Sequence, residues 1–451
     1  MQSRPSVTAL LAVVFGALLA LAGGPAAAQL AGEVEFSRGV GFAQGAGQAP
    51  RTLGKGLELR EGDRLTTSEG ASAIIRLQDG TRMTVRPNSE LVLQQFQFRE
   101  SAPDNSMLMQ LVRGGFRAVT GLISKGSPNA ARVQTSTATI GIRGTDFDAR
   151  LCERECGIES SRVLDQARPN AVLASAKVVQ SEGALYAVDA NGARRRVVDG
   201  GSIYPGDVVE SSSGSRGVIA FRDDTRITLG PNTRFRVDNF VFDEQNAGEG
   251  RFLVSLLRGS VRALTGLIAK SNNRNVGFST ATATIGIRGT GFDMACPGDC
   301  TDGNLTLFTW LGAISFQQTG QTAFELLQAG QGLLITPTSI TPINNQPEID
   351  GPRPDGVNVP PKLFAREDVP DAKEGLFVFV RDGHIEIATA GEVLHLGRGE
   401  AGFAGPEGGT ARPQMIPKFI DFDRVPMPTA RNPLLLTVLA DNSIRPAATC
   451  K

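Results

Sequence analysis

Thr135–Asp148 reads TSTATIGIRGTDFD, and Thr280–Asp293 reads TATATIGIRGTGFD, which matches it at 12 of 14 positions. A second pair with the same offset of 145 residues lies just upstream. There, Leu111–Lys125 (LVRGGFRAVTGLISK) matches Leu256–Lys270 (LLRGSVRALTGLIAK) at 10 of 15 positions. Recurrence at a fixed spacing is the signature of a repeated structural unit. The sequence therefore predicts the same organisation twice, over residues 29–175 and 176–335.

Each copy carries the alternation of apolar and polar residues that is typical of half-buried strands. In the first copy this pattern flanks Asp79-Gly80, and in the second it flanks Asp223-Asp224. An Asp-Gly between alternating runs favours a β-hairpin, and we expect a type I′ turn with positive φ at both central residues. The glycines of Leu111–Lys125 favour strand and turn over helix there.

These patterns predict an all-β fold of two tandem antiparallel units, each a roll or a sandwich of several short strands. Residues 336–374 are rich in proline, which predicts a linker. Strand character returns over 375–405 and predicts a small C-terminal β segment. The tail, residues 406–451, is again rich in proline.

The first 28 residues have the form of a secretory signal peptide. Arg4 precedes an apolar run, Val7–Ala22, and Ala26-Ala27-Ala28 supplies small residues for cleavage after Ala28. An apolar run of this length is short for a membrane span, which needs about 20 residues. We expect a mature chain that is exported from a bacterium, to the periplasm or the cell surface, without stable insertion in the membrane.

The charge balance and the scarcity of histidine exclude several classes of function. The chain has 46 basic and 46 acidic residues, so no basic excess favours nucleic-acid binding. His384 and His395 are the two histidines of the sequence, which rules out a multi-histidine metal centre within one chain. We expect no cofactor, no metal and no enzymatic activity.

Four of the five cysteines form two C-x3-C pairs at equivalent places in the two copies. The pairs are Cys152 with Cys156 and Cys296 with Cys300, and Cys450 is the odd one. In an exported chain the favoured interpretation is two local disulfides. Metal binding and a redox-active pair are the alternatives, although the x3 spacing and the absence of a neighbouring histidine disfavour a metal.

Two short motifs also recur, and each has a structural interpretation and a binding one. Arg143-Gly144-Thr145 and Arg288-Gly289-Thr290 could clamp a carboxylate, since arginine binds that group well. A glycine beside an arginine at a strand end also fits a β-bulge, with the arginine paired to a neighbouring acid, and we favour this interpretation. Gly62-Asp63 and Gly206-Asp207 predict turns in which the aspartate accepts hydrogen bonds from nearby backbone.

The order of these motifs resembles that of a FecR domain. The first copy has Gly62-Asp63, A-x-I-x-L-x-D-G-T over 73–81, P-N-S-x-L over 87–91, R-G-G-x-R over 113–117 and A-T-I-G-I-R-G-T-x-F over 138–147. The second copy keeps the same order, and residues 375–402 look like the closing hairpins of such a domain. The best-known FecR proteins are sigma-factor regulators with a cytoplasmic region and one membrane span. In this sequence we expect a signal peptide in their place.

The resemblance implies a non-enzymatic, extracytoplasmic interaction module. We expect an exported scaffold or binding module of the bacterial envelope that contacts a protein or a polysaccharide through its loops and strand edges. The alternative is a periplasmic sensor component of a sigma-factor and TonB-dependent-receptor signalling pathway.

Overall fold

The computed structural model describes residues 29–126, 130–320, 325–429 and 433. The predicted signal peptide, residues 1–28, and Cys450 lie outside the described residues. The protein is mostly β, with 51% strand and 9% helix, which confirms the predicted all-β fold class. Two sheets, each of 15 strands within the described residues, account for this content.

The first sheet combines strands from both ends of the chain. Its N-terminal strands are β1 (Leu30–Arg38), β2 (Gly41–Gln44), β3 (Arg51–Thr52), β4 (Glu58–Arg60), β5 (Arg64–Thr67), β6 (Ser72–Leu77), β7 (Arg82–Val85), β8 (Glu90–Gln97), β9 (Ser106–Val119), β10 (Ala131–Gln134) and β11 (Thr139–Cys152). Its C-terminal strands are β27 (Gly375–Ala388), β28 (Val393–Leu396), β29 (Ala401–Ala404) and β30 (Thr410–Ala411).

The second sheet is built from one continuous stretch of chain. Its strands are β12 (Ala176–Glu182), β13 (Leu185–Val188), β14 (Arg194–Val197), β15 (Ser202–Ile203), β16 (Val208–Ser211), β17 (Arg216–Phe221), β18 (Arg226–Leu229), β19 (Arg234–Val241), β20 (Arg251–Leu264), β21 (Val276–Ser279), β22 (Ala283–Asp299), β23 (Leu305–Gln318), β24 (Glu325–Gln328), β25 (Gly332–Ile335) and β26 (Ile340–Ile343). We call the parts of the chain that form the two sheets unit 1 and unit 2.

The two sheets have the same strand order, but unit 1 takes its closing strands from beyond unit 2. In unit 2, β22 pairs with the next strand along the chain, β23. In unit 1, the equivalent strand β11 pairs over its whole length with β27, from Thr139 opposite Ala388 to Cys152 opposite Gly375. Unit 2 is therefore inserted between β11 and β27. The C-terminal β segment, expected as a small addition, is an integral part of the first sheet.

The register is antiparallel except at one equivalent pair in each sheet. β10 runs parallel to β9, and β21 runs parallel to β20. The prediction of purely antiparallel units is thus incomplete. The parallel pairing requires a crossover, and a short helix lies between the two paired strands in each unit.

Four short α-helices are described. They are α1 (Leu122–Gly126), α2 (Glu155–Ser161), α3 (Leu267–Ser271) and α4 (Lys418–Asp421). Five 3-10 turns lie at 247–249, 273–275, 300–302, 354–356 and 361–363. Among the described residues, no helix is long and apolar enough to span a bilayer.

The predicted hairpins are present, but their turns are of another type. β6 pairs with β7 across Asp79-Gly80, and Gly80 has a φ of 86° whereas Asp79 is not among the residues with positive φ. The type I′ prediction is therefore wrong. The Gly80 N–H donates to Leu77 O, so a tight turn is followed by one left-handed residue. Asp224 occupies that place in unit 2 with a φ of 65°, which aspartate tolerates better than most residues.

Each unit encloses its own apolar core, and the C-terminal closing strands contribute to that of unit 1. The unit 1 core includes Leu376, Val378 and Val380 of β27, which are fully buried. The unit 2 core contains a chain of phenylalanines, among which Phe278 and Phe292 meet edge to face with centroids 4.9 Å apart. Alternate residues of each strand thus point into a closed core, as expected for a half-buried sheet.

Candidate functional site

The Asp-x-Thr motif at each hairpin is a buried hydrogen-bonding centre. Asp79 is 2% exposed, and its carboxylate accepts from Thr81 N at 3.0 Å, Thr81 Oγ1 at 2.9 Å and Ile123 N at 3.3 Å. The Gly121 N–H donates to the same threonine hydroxyl at 2.9 Å. The motif therefore fixes the start of α1 against the hairpin. The sequence prediction of a turn missed this contact, although recurrence of Asp-x-Thr in both copies was a signal for it.

Unit 2 repeats the arrangement with Asp223 and Thr225. Asp223 accepts from Thr225 N at 3.1 Å and Thr225 Oγ1 at 2.9 Å, and the threonine hydroxyl accepts from Gly266 N. Burial raises the pKa of the Asp223 carboxyl, and hydrogen bonds from Thr225 and Ile268 oppose that rise. Full satisfaction of a buried carboxylate in both copies indicates a structural role.

The Gly-Asp pairs lie at turns, where each aspartate is held by backbone and by an arginine. Asp63 accepts from Arg60 N at 2.8 Å and pairs with Arg51 at 2.6 Å. Asp207 accepts from Tyr204 N at 2.7 Å and pairs with Arg195. The preceding glycines, Gly62 and Gly206, have φ values of 84° and 87°.

Each Arg-Gly-Thr motif forms a bulge in a long strand. The register of β11 against β27 shifts between Arg143 and Asp146, and Gly144 has a φ of 58°. Arg143 pairs with Glu386 of β27 at 3.3 Å. The Thr145 N–H donates to Thr120 Oγ1 at 2.7 Å. The bulge thus turns the strand while the backbone N–H of Thr145 remains hydrogen-bonded.

The bulge of unit 2 has the same backbone conformation, but its arginine lies in a different environment. Gly289 has a φ of 61°, and Thr290 N donates to Thr265 Oγ1 at 2.9 Å. Thr290 Oγ1 donates to Ala313 O and accepts from Arg288 N. The side chain of Arg288 is exposed, so the two arginines differ in environment although their motifs are identical.

Disulfide bonds join Cys152 to Cys156 and Cys296 to Cys300, the pairs that the spacing predicts. All four residues are buried. Glu155 lies close to the first pair, in a cluster whose atoms could face a metal ion. A cysteine in a disulfide has no thiolate to offer, so this cluster is not a metal site in the oxidised chain.

A buried aspartate on the strand after each bulge organises an ion cluster that sequence reasoning missed. Asp148 is fully buried and accepts from Arg117 Nε at 2.7 Å and from Arg381 Nε at 2.9 Å. Arg86 lies 3.4 Å from the same carboxylate. In unit 2, Asp293 accepts from Trp310 Nε1 at 3.1 Å and from Gln346 Nε2 at 2.8 Å. The D-F-D and G-F-D ends of the repeated stretch were the available signal.

A second buried ion cluster joins the two units. Lys177 of β12 and Arg412, both fully buried, flank Glu400 with N–O distances of 2.9 and 2.8 Å. Burial opposes ionisation of Glu400, but the two cations lower its pKa below the ordinary value. Burial lowers the pKa of Lys177 to about 8, which still leaves the ammonium charged at neutral pH. These contacts fix unit 2 against the closing strands of unit 1.

The two histidines lie at the same junction. The rings of His384 and His395 stack with centroids 5.5 Å apart. Burial, together with the nearby Lys177 and Arg143, lowers the pKa of His395 to about 4. Burial also holds the pKa of His384 well below 6.5. Both rings are therefore neutral at physiological pH.

A cleft of about 470 Å³ opens beside the histidines, between the bulge of unit 1 and the β13–β14 hairpin of unit 2. Its lining includes five arginines, Arg143, Arg194, Arg195, Arg196 and Arg398, together with Tyr204 and three aspartates. Arg194 stacks on Tyr186 at 3.4 Å, and Arg398 lies 4.6 Å from the Tyr204 ring. The basic run at 194–196 is thus part of a concave surface.

Comparison with known proteins gives one family match and two structural matches. The family model described as FecR protein matches residues 63–162 and 207–314, a little under half of the chain. Curated proteins give no match. Two crystal structures of a "putative anti-sigma factor" from Parabacteroides distasonis ATCC 8503 match at 16% identity with a TM-score of 0.25.

Those matches cover 31% of this chain and 60% of the matched chain, so this protein spans less than two thirds of its length. The two segments of the family match fall within unit 1 and unit 2 at equivalent places. The chain therefore carries two segments in tandem, one in each unit, that match the model of the FecR protein family.

Proposed function

We propose that the protein is an exported, non-enzymatic binding module of the bacterial envelope whose partner is another protein, as part of a signalling pathway. The FecR family is a regulatory, non-enzymatic family. An envelope polysaccharide is the alternative partner, and a sensor that contacts a TonB-dependent receptor is the alternative pathway role. We propose that the partner binds in the cleft between the two units.

The arginine-lined cleft is the observation that carries the proposal. Its walls come from both units, and the buried Lys177–Glu400–Arg412 cluster holds those walls in a fixed arrangement. Arginine and tyrosine are enriched where proteins bind proteins, because they combine large contact area with charged or polar groups. Within the cleft, Arg196 and Arg398 are exposed. This favours a partner that presents carboxylates.

The environment of the histidines supports a non-enzymatic role. A general base must reach the proton that it abstracts. Both ring nitrogens of His384 are buried, and neither has a hydrogen-bond partner among the described residues. The low pKa of each ring also disfavours acid–base work near neutral pH.

The disulfides support export, because thiols oxidise in the periplasm and outside the cell but stay reduced in the cytosol. We propose a periplasmic or cell-surface location on this basis together with the signal-like N-terminus.

Site-specific photo-crosslinking in the native envelope tests the proposal. A photoreactive residue at Arg196 or Arg398 should capture one protein partner, whereas the same residue at exposed Arg274, outside the cleft lining, should not. Recovery of a TonB-dependent receptor would assign the sensor role. Equal capture from Arg196 and Arg274, or capture of polysaccharide alone, would contradict a protein partner in the cleft.

A further inference from the structure

The same contact with a proline carbonyl occurs once in each unit. Thr84 of β7 donates its hydroxyl to Pro426 O at 2.9 Å, and Thr228 of β18 donates to Pro352 O at 2.8 Å. Both threonines are fully buried. Residues 423–428 (DRVPMP) and 349–354 (IDGPRP) share a P-x-P sequence in the same frame. We call these segments strap 1 and strap 2, and the surfaces beneath them groove 1 and groove 2.

An equivalent arginine of the central strand holds each strap. In groove 1, Arg117 of β9 reaches Asp423 at 3.1 Å and lies 2.9 Å from the Met427 sulfur. In groove 2, Arg262 of β20 donates to Gly351 O at 3.2 Å. The last proline of each strap, Pro428 or Pro354, is buried. Two units of different sequence therefore bind a proline-containing segment in the same way.

The grooves differ in charge, and each strap differs to match. Groove 1 has Arg86 where groove 2 has Gly230, since V-R-P-N aligns with L-G-P-N. The residue three positions before the contacting proline is Asp423 in strap 1 and the buried Ile349 in strap 2. Asp423 pairs with Arg86. The charge of each groove therefore matches the residue at this position of its strap.

The charges of groove 1 require a carboxylate. The side chains of Arg86 and Arg117 are 2% and 4% exposed, and Arg381 joins them around Asp148. Without Asp423, Arg86 and Arg117 would lose one of the two carboxylates with which they form ion pairs and would share Asp148 with Arg381. A buried cation without a compensating anion is strongly destabilising, so groove 1 favours an acidic ligand at all times.

We propose that groove 1 is a binding site for an extended peptide of a partner protein that carries a carboxylate three residues before a proline, and that strap 1 occupies it as an internal competitor. Proline has no N–H and a fixed φ, so an Asp-x-x-Pro peptide presents its carbonyl to Thr84 at a low cost in chain entropy. A tethered strap competes at a high effective concentration, so exchange requires a partner peptide that binds better or a strap that is displaced. The site is separate from the cleft between the units.

Peptide binding to the full chain tests this inference. The probe is a fluorescein-labelled peptide with the sequence of residues 419–429. Asp423→Ala should increase its affinity for the chain by at least about tenfold over wild type, because the variant loses the internal carboxylate. The peptide with asparagine in place of its second aspartate, the one equivalent to Asp423, should bind at least about tenfold more weakly.

Two further variants separate loss of binding from loss of folding. Asp423→Ala with Arg86→Gly copies groove 2, removes the surplus cation, and should unfold at a higher temperature than Asp423→Ala while binding the acidic peptide poorly. Ile349→Ala is the control in unit 2 and should leave peptide binding at the wild-type level.

The inference is overturned if folded Asp423→Ala fails to bind the peptide, or if binding ignores the peptide aspartate and Arg86. Light scattering on the same samples tests whether the strap of a second copy of the chain occupies groove 1, because such an exchange would produce a dimer. Dimerisation of the variants in the concentration range of peptide binding would assign strap exchange and overturn the partner proposal.

Discussion

Buried carboxylates with complete hydrogen bonding recur at single residues of both units. Asp79 and Asp223 each join a hairpin to the helix that follows a distant strand. Asp148 accepts hydrogen bonds from two arginines, and Asp293 accepts them from Trp310 and Gln346. Because charged groups are seldom buried without partners, such positions determine local structure strongly. Their effect on stability should exceed that of exposed ion pairs.

Asp79→Ala should lower the free energy of unfolding of unit 1 by about 2 kcal/mol, because it leaves Thr81 and Ile123 backbone N–H groups without an acceptor. Urea denaturation followed by circular dichroism measures the change. Asp104→Ala removes an exposed pair with Arg99 and an exposed hydrogen bond from Gln97, and should change stability by less than about 0.5 kcal/mol. Equal effects of the two substitutions would contradict the structural role of Asp79.

Acid should weaken the junction between the units through His395. Its pKa is about 4 in the folded chain because of burial and the nearby Lys177 and Arg143, against about 6.5 when unfolded. Between these values the unfolded chain binds more protons, so stability is full above pH 6.5 and falls as the pH decreases towards 4, by roughly 3 kcal/mol in total.

His395→Phe should flatten this slope between pH 6.5 and 5, where ordinary carboxylates contribute little. Thermal unfolding at several pH values in that interval provides the measurement. The neighbouring His384 also has a lowered pKa and should account for the slope that remains. An unchanged slope in the variant would show that His395 does not titrate on unfolding.

At the scale of elements, the backbone of the Arg-Gly-Thr bulge in unit 2 packs closely against the backbone of the glycine opposite it. Gly289 and Gly312 have φ values of 61° and 72°. A Cβ at Gly289 would meet open space, whereas one at Gly312 would lie 2.4 Å from Gly289 O. The first glycine is required by conformation alone, and the second by conformation and space.

Gly289→Ala should therefore destabilise unit 2 by about 1 kcal/mol, the cost of a left-handed conformation for alanine. Gly312→Ala should cost roughly 1–3 kcal/mol more, since it also forces two backbone segments apart. Denaturant unfolding of the two variants compares them directly. A Gly289→Ala variant as unstable as Gly312→Ala would contradict the role of the close contact.

Elements also show where prediction from the sequence succeeds and where it stops. Alternation around Asp79-Gly80 suffices to place a hairpin, because strand period and turn residues are local. The same dipeptide fits both a type I′ turn and a turn followed by one left-handed residue, so the turn type could not be deduced. Contacts such as Asp148 with Arg381 join residues far apart in sequence, and no local pattern encodes them.

At the scale of the whole molecule, the decisive feature is that unit 1 takes its closing strands from beyond the inserted unit 2. β23 and β27 have similar sequences of apolar residues, so alternation alone cannot say which strand β11 will choose. Their lengths and partners are equivalent, since β23 pairs with β24 and β25 as β27 pairs with β28 and β29. Because β27 follows unit 2 in the chain, the sheet of unit 1 can be completed only after unit 2 has been synthesised.

This connectivity predicts that unit 2 can fold without unit 1, whereas the N-terminal part of unit 1 cannot fold alone. The fragment 172–358 contains every strand of unit 2 with strap 2 and should fold alone. The fragment 29–175 lacks β27, so the edge of β11 and the core normally covered by Leu376, Val378 and Val380 would be exposed to water. It should not unfold cooperatively by itself.

Adding the fragment 366–429 should restore unit 1, because the missing strand and strap 1 pair with β11 and groove 1 without a covalent link. Circular dichroism and hydrogen exchange on the isolated and mixed fragments test this. Protected amides in β11 should appear only in the mixture, since exchange protection follows buried, hydrogen-bonded backbone. Cooperative unfolding of 29–175 alone would mean that unit 1 is complete without the C-terminal strands, in conflict with the pairing of β11 and β27.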